Sequence, residues 1–311
     1  MRLPRTTRRS TKQRVKRALI GACAFVVAFT LGVAGLGAAW LHGYKLPFAS
    51  GATYLRVQKL QTKGHADRSQ SPTAPFYVLL VGNDDRPGVG GARGDALHLV
   101  GVNPALGKAT MLDIPRDTCW NGDKINAANA QGGGPAQAAA VGGLVGVSVS
   151  YVVDVNFDKF LALVDGVGGV TVNVPTEMHD TYSGAYFHPG VQHLNGTQAL
   201  AFSRDRHDFP SSDIIRTANQ GLLIVSAIAQ LQHAATVGEQ FHLISLLYQH
   251  ADLSGFGIID LYRLGRIMYR IPPAQIRSVT IPIGGGGCLS LGSDAAGFFA
   301  DFRDDAVLES H

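Results

Sequence analysis

The chain has 311 residues, 46% of them hydrophobic and 16% charged, with 38 glycines and a mean hydropathy of +0.10. That composition excludes disordered and collagen-like chains, and the length holds one large domain or two ordinary ones. The formal charge of +4 belongs to one end: residues 1–17 carry eight basic residues and no acid, leaving 19 basic against 23 acidic residues beyond them. A net-acidic remainder argues against a nucleic-acid-binding domain.

In chain order, residues 1–17 read as a cytoplasmic basic tail. Ala18–Trp40 follows with 23 residues and no charge. At 1.5 Å per residue that run is long enough for a transmembrane anchor, closed by an interfacial aromatic, Trp40. The positive charges upstream place the N-terminus in the cytoplasm and the rest of the chain on the outer face of the cell membrane, as a single-pass protein. A cleaved signal peptide is the competing reading, with small residues near Ala38; such apolar regions are usually shorter. Residues 41–75 read as a stalk, its second part polar and rich in Pro and Ser.

The folded domain, residues 76–311, opens with the apolar run Phe76–Val81. Ala96–Val102 and Ala109–Ile114 are the next expected strands, joined by the turn Asn103–Gly107. Pro135–Gly146 is Ala-rich and expected helical, then come strand Tyr151–Val155 and helix Phe157–Val164. Gly168 and Gly169 turn the chain into strand Val170–Val174. Helices are expected at Ser212–Ala234, Gly238–His250 and Ile258–Tyr269, a strand at Ile276–Ile281 and a last helix at Ala295–Arg303. Strands and helices mixed in this way, without a repeat, predict an α/β fold: a single three-layer domain with a central mixed β-sheet flanked by helices, behind the N-terminal transmembrane helix.

Of the three cysteines, Cys23 lies in the expected span. Cys119 and Cys288 lie in the exported part, where a disulfide and two separate thiols are both open. No Cys/His grouping has the spacing of a zinc site.

Acids and arginines gather just beyond strand ends, where α/β sheets collect ligands. Asp84 and Arg86 follow the first strand, and Arg93 and Asp95 precede the second. Asp84 and Asp95 flank one loop and can share a hard cation; Mg2+ takes one or two carboxylates and fills its sphere with phosphate oxygens and water. Arg116 and Asp117 follow the third strand, with Lys124 and Asn126 close behind, and Arg204 and Arg206 lie further on. Several guanidinium groups beside two acids, without an obvious nucleophile, suit a pyrophosphate–Mg2+ site better than a hydrolase triad.

The helix from Ser212 adds a pattern. Asp213, Arg216 and Gln220 fall on one stripe, which Ile224, Ala227 and Leu231 continue as apolar surface. Ile215, Ala218, Leu222, Val225 and Ala229 fall opposite and are expected against the sheet. A surface charged at the helix N-terminus and apolar beyond matches a ligand with an anionic head and a hydrocarbon tail.

Taken together these segments resemble the LytR-CpsA-Psr family of bacterial cell-wall enzymes. The resemblance runs from about Phe76 to Phe202 and Gln220, through LLVGNDDR, RGDALHLVGVNP, DIPRDT, KINAA, DGVGGVTVNVP, HPGVQHLNGTQALAFSRDR and DIIRTANQ in the family's order. AAGFFADFRDD, Ala295–Asp305, is similar to its C-terminal helix. Three positions depart from the family's pattern: Asn219 stands in place of an Arg, Ser212 in place of a Gly, and Asn129 in place of a Tyr.

The resemblance implies a Mg2+-dependent phosphotransferase. It would move a glycopolymer from a polyprenyl-pyrophosphate carrier to a peptidoglycan hydroxyl, making a phosphodiester outside the membrane. It implies Asp84 and Asp95 as Mg2+ ligands, and Arg86, Arg93, Arg116, Arg204, Arg206 and Arg216 around the pyrophosphate. Asp117, Lys124, Asn126, Asp213 and Gln220 would support the site, and the prenyl chain would enter an apolar pocket behind the sheet. Two other functions fit the same residues: a membrane-anchored polyprenyl-phosphate binder without turnover, and a polyprenyl-pyrophosphate pyrophosphatase.

Overall fold

The computed structural model describes residues 73–85, 92–206, 212–233, 237–255 and 258–309. The basic tail, the expected transmembrane span, nearly all of the stalk, and Arg86 lie outside the described residues.

A six-stranded mixed sheet organises the domain. Its strands are β1 (Phe76–Asn83), β2 (Gly94–Asn103), β3 (Lys108–Asp113), β6 (Tyr151–Asn156), β11 (Asp252–Ser254) and β12 (Ile276–Thr280), in the order β11-β6-β1-β2-β3-β12. β1 runs antiparallel to β2 and parallel to β6, and β3 antiparallel to β2 and parallel to β12. A short hairpin, β4 (Cys119–Trp120) and β5 (Asp123–Lys124), lies between β3 and the first helix.

Side chains alternate across each strand, and the two faces have different fates. On one face Leu79, Val81, Leu97, Leu99, Leu112 and Ile114 pack under α1 (Ala127–Val145) and α7 (Ala295–Asp305). On the other, Val78, Leu80, Val100 and Met111 meet α4 (Ser212–His233), α5 (Val237–His250) and α6 (Ile258–Arg270). These are the three layers expected from sequence.

α1 shows why its second half was the legible one. Gly132 and Gly133 break the helical dihedrals, Gly133 with φ +65°, and Pro135 begins the next helical segment. Pro suits a first turn, where no backbone N–H is needed. Gly146, φ +82°, ends the helix in the left-handed region, its N–H donating to the Gly142 carbonyl.

A third apolar cluster joins α2 (Phe157–Gly166), α3 (Gly196–Arg204) and α4 to two small hairpins, β7 (Val170–Val174) with β10 (Gly190–Leu194) and β8 (Met178–Asp180) with β9 (Ala185–Phe187). Sequence reading left α3 unassigned, although its start is written in the chain. Asn195 caps the Gln198 N–H, and the Gln198 side chain accepts the Asn195 N–H in return.

The face of α4 expected against the sheet meets it only in part. Ala218 is exposed and Leu222 packs in the third cluster, while Gly221 and Val225 face the sheet. Periodicity gives the stripes of a helix, not which neighbour each will meet. Asp213–Gln232 has the length and hydropathy of a membrane span because it is apolar toward two neighbours at once, the sheet and a cavity.

Candidate active site

A cavity of about 570 Å³ lies between the sheet and α4, beside the ends of β1 and β6. Asp84, Asp95, Arg116, Arg204, Arg206, Arg216 and Gln220 line its polar part. Beyond them the wall turns apolar, with Leu80, Val153 and Phe160 on one side and Ile224, Leu231 and Leu246 on the other. The α4 stripe predicted from sequence runs along this wall in register, from Arg216 through Gln220 and Ile224 to Ala227 and Leu231.

Asp95 reaches the cavity through a break in regularity. In β2, Leu97 and Leu99 point to the closed face, so strict alternation would send Asp95 with them. The β1–β2 register shifts between Gly82 and Asn83: Gly82 pairs with Ala96 but Asn83 pairs with Gly94, leaving Asp95 as the extra residue. Such a bulge re-aims a side chain, and Asp95 and its neighbour Ala96 both line the cavity.

The polar wall is a charge network. Arg116 Nη1 donates to Asp95 Oδ1 at 2.6 Å, and its Nε lies 3.7 Å from Asp117 and 3.8 Å from Asp213. Burial works to lower the Arg116 pKa, but the three carboxylates outweigh it and raise the value. Arg216 Nη2 stands 2.5 Å from Asp213 Oδ1 and 3.4 Å from the Asp95 carbonyl. Its guanidinium is pulled down to about 10, first by burial, so it remains a cation at neutral pH. Gln220 donates to the Ser203 carbonyl at 3.0 Å, tying α4 to the end of α3, and the Arg206 N–H donates to Asp180 at 3.3 Å, tying the segment after α3 to β8.

The predicted residues divide by position. Asp117, Lys124, Asn126 and Asp213 stand behind the cavity lining. Lys124 pairs with Asp117 at 2.8 Å. The Asn126 N–H donates to the Arg116 carbonyl while its own carbonyl accepts the Gly94 N–H, both at 3.3 Å. Arg93 is exposed and away from the cavity lining, and Arg204 lies over the Phe157 ring at 5.1 Å from its centre. Asn129, where the family pattern has Tyr, donates to the Ala92 carbonyl at 2.9 Å. Behind Arg116, Cys119 and Cys288 form a disulfide, which resolves the question left open by the sequence. The Cys119 N–H donates to the Leu289 carbonyl and the Leu289 N–H to Asp117, so the bridge braces the loop that carries Arg116. Sequence reasoning missed His98, Ser203 and Asp180, which also line the cavity.

Three buried Nε atoms, on Arg116, Arg206 and Arg216, have no hydrogen-bond partner. Donors of this kind fit oxyanions, and the two lining acids fit a magnesium ion that shares phosphate oxygens with its ligand. Among the described residues no group of three or more His, Cys, Asp or Glu gathers as a metal cage.

The profile of the LytR_cpsA_psr family matches residues 42–296. The chain belongs to the LytR-CpsA-Psr family. A teichoic acid transferase of Bacillus mycoides, TagU, is 37% identical over 164 residues, 51% of this chain and 53% of that protein. TagU of Bacillus subtilis is 36% identical over 179 residues, 55% and 58% of the two chains. The alignments therefore span about half the length of these relatives. The crystal structure of B. subtilis TagV superimposes with a TM-score of 0.62 at 26% identity, covering 72% of this chain and 92% of that one. The LytR-CpsA-Psr likeness thus extends from motif order to the mixed sheet and its covering helices.

Proposed function

We propose that the chain transfers a glycopolymer, as a glycosyl phosphate, from a polyprenyl-pyrophosphate carrier to a peptidoglycan hydroxyl, joining them by a phosphodiester. The observation that supports this reading most is the change along one cavity wall, from guanidinium groups with unused donors to aliphatic side chains. A prenyl pyrophosphate has the same sequence of properties, an anionic head and then a hydrocarbon tail. The relatives are named polyisoprenyl-teichoic acid–peptidoglycan teichoic acid transferases, which describes a donor and an acceptor of this chemistry.

In this reading Arg116, Arg206 and Arg216 hold the pyrophosphate, with Arg204 at the exposed rim. As the acceptor oxygen attacks the sugar-side phosphorus, the bridging P–O bond breaks, polyprenyl phosphate leaves and the hydroxyl proton passes to solvent. Charge grows on the phosphate oxygens, and guanidinium groups already fixed by Asp95 and Asp213 meet it without reorganising. A magnesium ion held by Asp84 and Asp95 would supply further neutralisation of that charge. Asp117, held by Lys124, orients Arg116 and stands behind the cavity lining. Arg93, exposed and away from the cavity lining, has no part in holding the pyrophosphate in this reading. The charge-free segment Ala18–Trp40 would anchor the domain beside a lipid substrate that stays in the bilayer.

The test uses the full chain in detergent, with a short polyprenyl-pyrophosphate glycan and a peptidoglycan oligomer. Glycan should appear on the oligomer with Mg2+, disappear with EDTA, and be lost in Asp95→Ala. Prenyl phosphate release indifferent to the oligomer would instead identify a pyrophosphatase, and lipid binding without turnover a binder.

A further inference from the structure

One polar group on the cavity wall has no part in the transfer just described. His98, on β2, is 1% exposed and lines the cavity. Its Nδ1 lies 2.7 Å from Asp113 Oδ1, and the other Asp113 oxygen accepts the Ser278 hydroxyl. A carboxylate placed this way fixes the ring with its hydrogen on Nδ1. The opposite nitrogen, Nε2, is buried and has no hydrogen-bond partner.

Its depth is set by the strand. Ala96, His98 and Val100 share one face of β2; the first two line the cavity and Val100 belongs to the apolar cluster. His98 pairs across the sheet with Leu80, already part of the apolar wall. α4 closes over the pair at Gly221, where a Cβ would stand 2.5 Å from Asp113 Oδ2 and 2.3 Å from Ser278 Oγ. His98 is therefore held rigidly at the level where the charged wall gives way to the apolar one.

We propose that His98 is a specificity-determining residue that hydrogen-bonds the phosphate nearest the prenyl chain and so sets how deep the head group sits. The proposal rests on the reading of the cavity as a prenyl-pyrophosphate site. Phosphate oxygens at neutral pH accept hydrogen bonds, so Nε2 takes a proton from solvent when the ligand binds. The resulting imidazolium lies between Asp113 and the phosphate, two anions. Asp113 comes from β3, with the Ser278 hydroxyl beside it from β12. Asp84, Asp95, Arg116, Asp180, Arg204, Arg206 and Arg216 are the other charged groups lining the cavity, and β1 presents Leu80 to the ring.

The experiment is titration calorimetry of the full chain in detergent with farnesyl pyrophosphate and with farnesol, each in buffers of different ionisation enthalpy. Wild type should bind the pyrophosphate with uptake of a proton and farnesol without it. His98→Gln should lose about tenfold in pyrophosphate affinity, lose the proton uptake, and keep its farnesol affinity. Nitrogen-15 spectra of the wild type give a reading that needs no variant: the His98 Nε2 resonance should move to the protonated range with farnesyl pyrophosphate and stay in place with farnesol. Equal losses for both ligands, or an unmoved Nε2 resonance, would overturn the assignment. A wild type that binds farnesyl pyrophosphate no better than farnesol would overturn the reading of the cavity itself.

Discussion

The two faces of the central sheet differ in how they are closed. Under α1 and α7, Leu79, Leu99, Val141 and Phe302 are fully buried, and side chains interlock. Under α4 and α5, Leu80, Val153, Ile224 and Ile228 are only partly buried because the layer is held apart by a cavity. The same alternating strands supply both faces. One face is packed for stability, and the other gives up packing to leave room for a ligand.

That contrast can be broken or sharpened by substitution. Phe302→Ala, on the closed face, should cost about 3–5 kcal/mol in chemical denaturation, since a fully buried ring leaves a cavity behind. A cost near that of a surface change would contradict the division. Arg206→Ala, on the open face, should lower turnover by about 10²–10³-fold and move the melting temperature by only a few degrees. An equal fall in both would mean that the arginine holds the fold rather than the substrate.

The closed face also carries an acid. Asp154 on β6 accepts a 2.6 Å hydrogen bond from Asn83, and its pKa is raised to about 6, first by burial. Because the folded value lies above the unfolded one, the folded state binds more protons between about pH 4 and 6. This group's contribution is therefore most favourable at low pH and is lost as pH rises through 6, by up to about 3 kcal/mol. Urea denaturation at pH 4.5 and 7.5 should show Asp154→Asn gaining on wild type at the higher pH; a constant difference would contradict the assignment. The smallest effect is expected for Ile224→Ala, about 1 kcal/mol of stability, because the side chain is only partly buried. Its main consequence should be a higher KM for a prenyl-linked donor.

How far the site was legible follows from which signals are local. The apolar runs of β1 and β3, the Pro135 start and Gly146 stop of the α1 segment, and the Gly168–Gly169 turn are local, and the structure has them. The stripe from Arg216 to Leu231 is local too, because a helix repeats whatever it packs against. Asp95 was found from its place in a motif, yet the bulge that turns it inward depends on the register of two strands. His98 sits in an ordinary strand pattern, and only the neighbouring β3 and β12 show that its ring is held by Asp113 and Ser278. The Cys119–Cys288 bridge spans 169 residues and likewise needed the fold to bring its ends together.

The most direct test of the division between the two faces is photocrosslinking. The full chain would be irradiated with a prenyl pyrophosphate that carries a diazirine in its third isoprene unit, and the adducts located by mass spectrometry. The account predicts adducts at Ile224, Leu231 or Leu246, suppressed by excess unlabelled prenyl pyrophosphate. Adducts on α1 or α7, or labelling that excess ligand leaves unchanged, would contradict it.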